Sequence, residues 1–149
     1  MCRDFITSLN ICFALIAKKN RWINAIKTLE SDFNFAEMNL CELNNIKDQQ
    51  EFSQRAEALF KRMSSGHAIV LLTVTKLVET VEEKTLVLLD EPESHLHPPL
   101  LSAFTRALSD LLVNRNGVAI IATHSPVVLQ EVPKSCVSIL RRTSRVISF

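Results

Sequence analysis

Residues 85–91 read Thr85-Leu86-Val87-Leu88-Leu89-Asp90-Glu91, an apolar run bounded by charge on both sides. Short continuous apolar runs are what strands buried on both faces of a parallel sheet look like, so a strand is predicted over 85–90. Pro98 and Pro99 then open a segment with Leu100, Leu101, Phe104, Leu108, Leu111 and Leu112 on one stripe. That is an amphipathic helix with proline tolerated in its first turn. Asn116-Gly117 supplies a C-terminal stop. A second buried strand is predicted over 118–122 and a third over about 137–140. Strand, helix, strand with short connections is a βαβ unit, parallel with a right-handed crossover. Ligands in such sheets sit beyond the carboxyl ends of the strands.

Upstream, the first 60 residues read as helical: Trp22, Ile23, Ile26, Leu29 and Phe33 recur at 3–4 residue spacing, as do Phe52, Ala56, Leu59, Phe60 and Met63. Between these stretches, residues 34–50 are polar and read as a loop or an exposed helix. Ser64-Ser65-Gly66 is a short breaker. The mostly apolar segment 67–82 has the β-branched content of a strand but the length of a helix, and a buried helix is favoured. The expected organisation is α/β: a helical arm over 1–60, then an α/β unit over 61–149.

Composition sets outer limits. Hydrophobic residues make up 47% and charged residues 22% of the 149, ordinary for a globular protein. A net charge of +1 gives no global basic field for nucleic acid. Cys2, Cys12, Cys41 and Cys136 contain no C-x-x-C pair, so they read as reduced intracellular thiols. In the apolar stretch 5–17 the positive charges follow the run, no small-residue cleavage site appears, and thirteen residues are too few to span a bilayer. A cytoplasmic location without membrane contact is expected.

The predicted strands deliver polar residues to one edge of the sheet: Asp90 and Glu91 from the first, Thr123, His124 and Ser125 from the second. One carboxylate of such a pair can hold Mg²⁺, an ion that keeps most of its waters and takes few protein ligands. The next carboxylate can orient or deprotonate an attacking water. A histidine at the neighbouring strand end can donate to a terminal phosphate. The plainer alternative, charged residues capping two strands, loses weight once His124 stands beside the acid pair.

The segment Thr85-Leu86-Val87-Leu88-Leu89-Asp90-Glu91-Pro92-Glu93-Ser94-His95-Leu96-His97-Pro98 resembles the Walker B and D-loop region of ABC-type ATPases. The nearest resemblance is to the RecF- and SMC-like branch that includes the overcoming-lysogenization-defect nucleases. Thr123-His124-Ser125-Pro126 resembles that branch's switch histidine, and Met63-Ser64-Ser65-Gly66-His67 resembles the signature motif. The resemblance covers roughly residues 60–142. It implies a partial ABC-type P-loop fold with ATP and Mg²⁺ as cofactors. In it Asp90 completes the Mg²⁺ shell, Glu91 is the catalytic base and His124 senses the γ-phosphate. Ser64, Ser65, Gly66 and His67 face the nucleotide of a second protomer. A Ser-Ser-Gly at a helix N-terminus does offer free N–H groups and a positive dipole end to an anion, although taken alone it is more often a cap.

Departures narrow the match. The usual signature has two glycines and a closing glutamine, against Ser65, Gly66 and His67 here, and the usual D-loop aspartate is missing from Ser94-His95-Leu96-His97. A phosphate loop needs G-x-x-x-x-G-K-[ST], and Gly66 and Gly117 are the only glycines, so these residues contain none. A C-terminal fragment is therefore expected: a truncated product, a split reading frame or an alternative start. His95 and His97 have a His-x-His spacing that suits a metal, but no third histidine lies at ligand spacing and the D-loop resemblance explains them without one. Arg141, Arg142 and Arg145 form a small basic cluster, read as a solvated strand edge in preference to a DNA contact.

Two functions follow from the resemblance. The first is an ATPase subunit that clamps ATP between two protomers in an anti-phage defence or DNA-repair complex. The stretch Thr123-His124-Ser125-Pro126-Val127-Val128-Leu129-Gln130-Glu131-Val132-Pro133 looks like the ATPase of Septu-type systems, whose partner is an HNH nuclease. The second is a non-catalytic remnant that pairs with a full-length homologue.

Overall fold

The computed structural model describes residues 1–143 and 146–148. Helix α1 (Cys2–Ala14) buries Phe5, Ser8, Leu9 and Cys12, the 3–4 spacing of one helical face. Leu15 is extended (φ −119°, ψ 124°) and separates α1 from α2 (Ile16–Leu29), which buries Trp22, Ala25, Ile26 and Leu29. The polar stretch after it, expected as a loop or an exposed helix, forms two short helical pieces. Asp32 caps α3 (Phe33–Met38), and a 3₁₀ turn follows over Leu40–Asn45. Phe35, Leu40 and Leu43, three apolar residues in a polar surround, are fully or almost fully buried and anchor this segment. Helix α4 (Gln49–Arg62) starts at Asp48, whose carboxylate accepts from Glu51 N.

Helix α5 (Ser65–Thr80) is the buried helix expected for this apolar stretch. It packs on α1, while α2 packs on α6 (Pro98–Val113). Phe5 stacks on Phe60 with centroids 4.7 Å apart, and Phe13 meets Trp22 edge-on. Trp22 donates from Nε1 to Thr75 Oγ1 at 2.9 Å inside this core, and buried indole N–H groups need such a partner. One buried apolar cluster runs through α1, α2, α4, α5 and α6.

Strand β1 (Leu86–Asp90) pairs in parallel with β2 (Val118–Ala122), in register from Leu86 opposite Val118 to Asp90 opposite Ala122. The expected strand–helix–strand unit is present, with α6 as its helix. Only one face of the pair is covered: Val87, Leu89, Ala119 and Ile121 pack on the core, whereas Leu86, Leu88, Val118 and Ile120 are 56–68% exposed. This corrects the expectation of strands buried on both faces. Successive side chains point to opposite faces, and the described helices lie against one of them.

The third predicted strand, 137–140, is also corrected. After α7 (Pro126–Gln130) and a 3₁₀ turn (Lys134–Cys136) those residues pair with nothing described, and Ile139 and Leu140 are exposed. An apolar run becomes a strand only where a neighbouring edge takes its backbone groups. The chain pairs slightly later, as an antiparallel ribbon of β3 (Arg141–Thr143) and β4 (Val146–Ser148). Of the basic cluster, Arg145 lies outside the described residues. Among the described residues no helix is long and apolar enough to cross a membrane.

Candidate functional site

The in-register pairing brings both strand ends to one edge. Asp90 is the last residue of β1, on the open face, and its carboxylate makes no hydrogen bond or ion pair among the described residues. Glu91 follows in the left-handed region (φ 45°), with its N–H donating to Ala122 O at 2.8 Å. A non-glycine residue held there is strained by about 1–3 kcal/mol, and such strain concentrates at functional sites. The kink turns the Glu91 side chain toward the β2 edge, where Oε1 lies 3.4 Å from His124 Nε2. The His124 ring is 90% exposed and Glu91 54%, so both face solvent.

Glu93, to which the sequence reading assigned no role, holds this edge together. Its Oε2 accepts from Thr123 Oγ1 and its Oε1 from His124 N, both at 2.8 Å. Burial pushes the Glu93 carboxyl up, but hydrogen bonds from its own N–H, from His124 N and from the Thr123 hydroxyl outweigh it. The net result is a pKa below the usual glutamate value. Ser125 then caps α7 by accepting from Val127 N. The only hint of Glu93 in the sequence is an acid in a turn beside a strand end.

The signature-like residues form a second group. Ser64 caps α5 and is exposed, as is Ser65, while Gly66 and His67 are buried. A Cβ on Gly66 would come within 3.2 Å of His95 O, so the start of α5 lies directly against the turn that follows β1. His67 uses both ring nitrogens within the chain: Nδ1 is 2.7 Å from Ser64 Oγ and Nε2 is 2.9 Å from Asp32 Oδ1. His97, the N-cap of α6, places Nε2 3.7 Å from Asp32 Oδ2. Asp32, His67 and His97 thus converge from three separate segments, which no spacing rule reveals. Asp32 drew no reading from the sequence, and the structure shows it as the cap of α3. Beside this group lies an open cavity of about 290 Å³ lined by Asn34, Glu37, Arg62, Ser64 and His67 among others.

The structure therefore joins Glu91 to His124 at the strand ends and Ser64 to His67 at the head of α5, with the 91–97 turn between the two groups. A parallel strand pair that brings an acid pair and a histidine to one edge is a partial α/β unit of the kind whose strand ends hold ligands. Consistent with that class, residues 17–130 match a AAA domain family whose description names the AbiEii toxin of type IV toxin–antitoxin systems. The chain belongs to this family of P-loop ATPase type. It is also similar to Protein ea59 of Escherichia phage lambda, 54% identical in an alignment that covers 89% of this chain and 28% of that protein. The chain thus spans little more than a quarter of that relative's length. No solved structure matches it.

Proposed function

We propose that these residues supply the hydrolytic edge and the signature face of an ABC-type ATPase of the overcoming-lysogenization-defect branch. Residues 61–149 carry the chemistry and the helices of 1–60 buttress them. The observation that carries this reading is Glu91, held at φ 45° with its carboxylate 3.4 Å from His124. The free carboxylate of Asp90 fits Mg²⁺, which takes one or two carboxylates and fills its shell with water and phosphate oxygens. Bound there, the ion would neutralise charge on the phosphates. Glu91 would take the proton of the attacking water on a carboxylate oxygen, and His124 would donate to the γ-phosphate. Ser64 and Ser65, exposed at the head of α5, would face the nucleotide of a second protomer.

The β-phosphate contacts must come from a phosphate loop outside these 149 residues, because none is encoded within them. In the full assembly two protomers would sandwich ATP, and hydrolysis would gate an effector. The Septu-like stretch at 123–133 favours an HNH nuclease for that role, in anti-phage defence, with DNA as its target. The same lack of a phosphate loop also favours a second reading, a non-catalytic module that pairs with a full-length homologue. The test is ATP hydrolysis by a longer chain in which these residues replace the matching segment of the phage lambda relative. Glu91→Gln and His124→Ala should each suppress turnover while ATP still binds. Turnover indifferent to both substitutions would leave only the second reading.

A further inference from the structure

We propose that Asp32, His67 and His97 form a binding site for one divalent transition-metal ion of the zinc class. One ligand atom from each lies within 4.8 Å of the others. The donors are two imidazoles and a carboxylate, a set that suits zinc and its neighbours and not the oxygen-seeking Mg²⁺ or Ca²⁺.

The state of Asp32 is what points to an ion. The residue is 3% exposed, and its Oδ1 already accepts from Asn34 N, Phe35 N and His67 Nε2. Oδ2 accepts no hydrogen bond among the described residues, and His97 Nε2 stands 3.7 Å from it. That is too long for a hydrogen bond and close to the spacing of roughly 3.3 Å between two ligands of a tetrahedral ion with bonds near 2.0–2.1 Å. A neutral chain from Asp32 through His67 to Ser64 accounts for His67 but leaves Asp32 Oδ2 and His97 Nε2 facing each other 3.7 Å apart without a hydrogen bond between them. An ion accounts for all three.

The surroundings are those of a built site. When His67 Nε2 turns its lone pair to the ion, Nδ1–H donates to Ser64 Oγ, 2.7 Å away, and this outer contact fixes the ring. The Asn34 and Phe35 amides fix the carboxylate. His97 is 45% exposed, which gives the ion a path in and leaves room for water as a fourth ligand. The ion would bind the cap of α3, the head of α5 and the head of α6 to one another. The site stands whether or not the chain takes part in ATP hydrolysis.

The test titrates chelator-stripped full chain with ZnCl₂ by calorimetry, and with Co²⁺ by visible spectroscopy. Wild type should bind one Zn²⁺ per chain. Its Co²⁺ complex should show ligand-field bands without thiolate charge-transfer absorption. His97→Asn keeps a capping acceptor at α6 and should weaken Zn²⁺ by roughly tenfold or more, with metal-free thermal unfolding unchanged. His67→Gln should do the same to affinity. Absence of Zn²⁺ binding, thiolate absorption with Co²⁺, or wild-type affinity in His97→Asn would overturn the assignment.

Discussion

The backbone N–H of His124 donates to Glu93 Oε1 at 2.8 Å, so the turn after β1 and the turn after β2 are fastened by a carboxylate and not by the strands alone. Thr123 completes the fastening at Oε2. Glu93→Ala removes both acceptors and should lower stability by about 1–3 kcal/mol. Urea unfolding followed by Trp22 fluorescence reads this out, since Trp22 is the only tryptophan and is fully buried.

The same contact carries a pH signature. The Glu93 carboxyl is depressed in the folded state, so its contribution is present above the ordinary glutamate pKa and is lost as pH falls through the lower, folded value. The stability gap between wild type and Glu93→Ala should therefore shrink in acid. A gap that stayed constant down the acid limb would mean that Glu93 is not charged when it holds the turns.

Inside the core, Thr75→Val should be costly despite its matched shape. Thr75 Oγ1 accepts from Trp22 Nε1 at 2.9 Å and donates to Leu71 O. Valine strands the indole N–H without water, which costs about 1–3 kcal/mol. A urea midpoint within error of wild type would show that Trp22 finds another acceptor.

The two glycines should respond unequally to alanine. At Gly117 a Cβ would sit 2.8 Å from Leu112 Cδ2 and 3.1 Å from Thr85 O. Thr85 O cannot retreat, because it accepts from Val118 N at the start of the strand pairing. Gly117→Ala should cost about 1–3 kcal/mol. At Gly66 the closest approach is 3.2 Å, to His95 O in a turn, so Gly66→Ala should cost less. Thermal melts of the two variants decide the order.

Thiol labelling tests the burial pattern. Burial, reinforced by Glu79, pushes Cys12 up to about 11, and burial with Glu30 also raises Cys41. Cys136 is exposed. Iodoacetamide at mildly alkaline pH should modify Cys136 first and Cys12 only in denaturant, as read by peptide mass spectrometry.

What was legible in the sequence is local. Pro98 and Pro99, the stripe through Leu112, the Asn116-Gly117 stop and the two apolar runs each act through nearest neighbours, and they located α6, β1 and β2. The Asp90-Glu91 and His124 edge followed from the parallel pairing they imply. Contacts between distant segments were illegible. Asp32, His67 and His97 meet only because α3, α5 and α6 share one corner, and no spacing encodes that. The 137–140 run failed for the complementary reason: its residues suit a strand, but pairing depends on an edge located elsewhere in the fold. Leu86 and Leu88 read as doubly buried because hydropathy reports what a face prefers and not what covers it.

In the proposed function Glu91 is the base of an ATP site. The direct measurement is the Mg²⁺-dependent ATPase rate of the chimera carrying residues 1–149 in place of the matching segment of the phage lambda relative, with and without Glu91→Gln. Loss of a positioned base should lower kcat by roughly 10²–10⁴-fold, with ATP binding retained. Equal rates for the two chimeras would contradict the account.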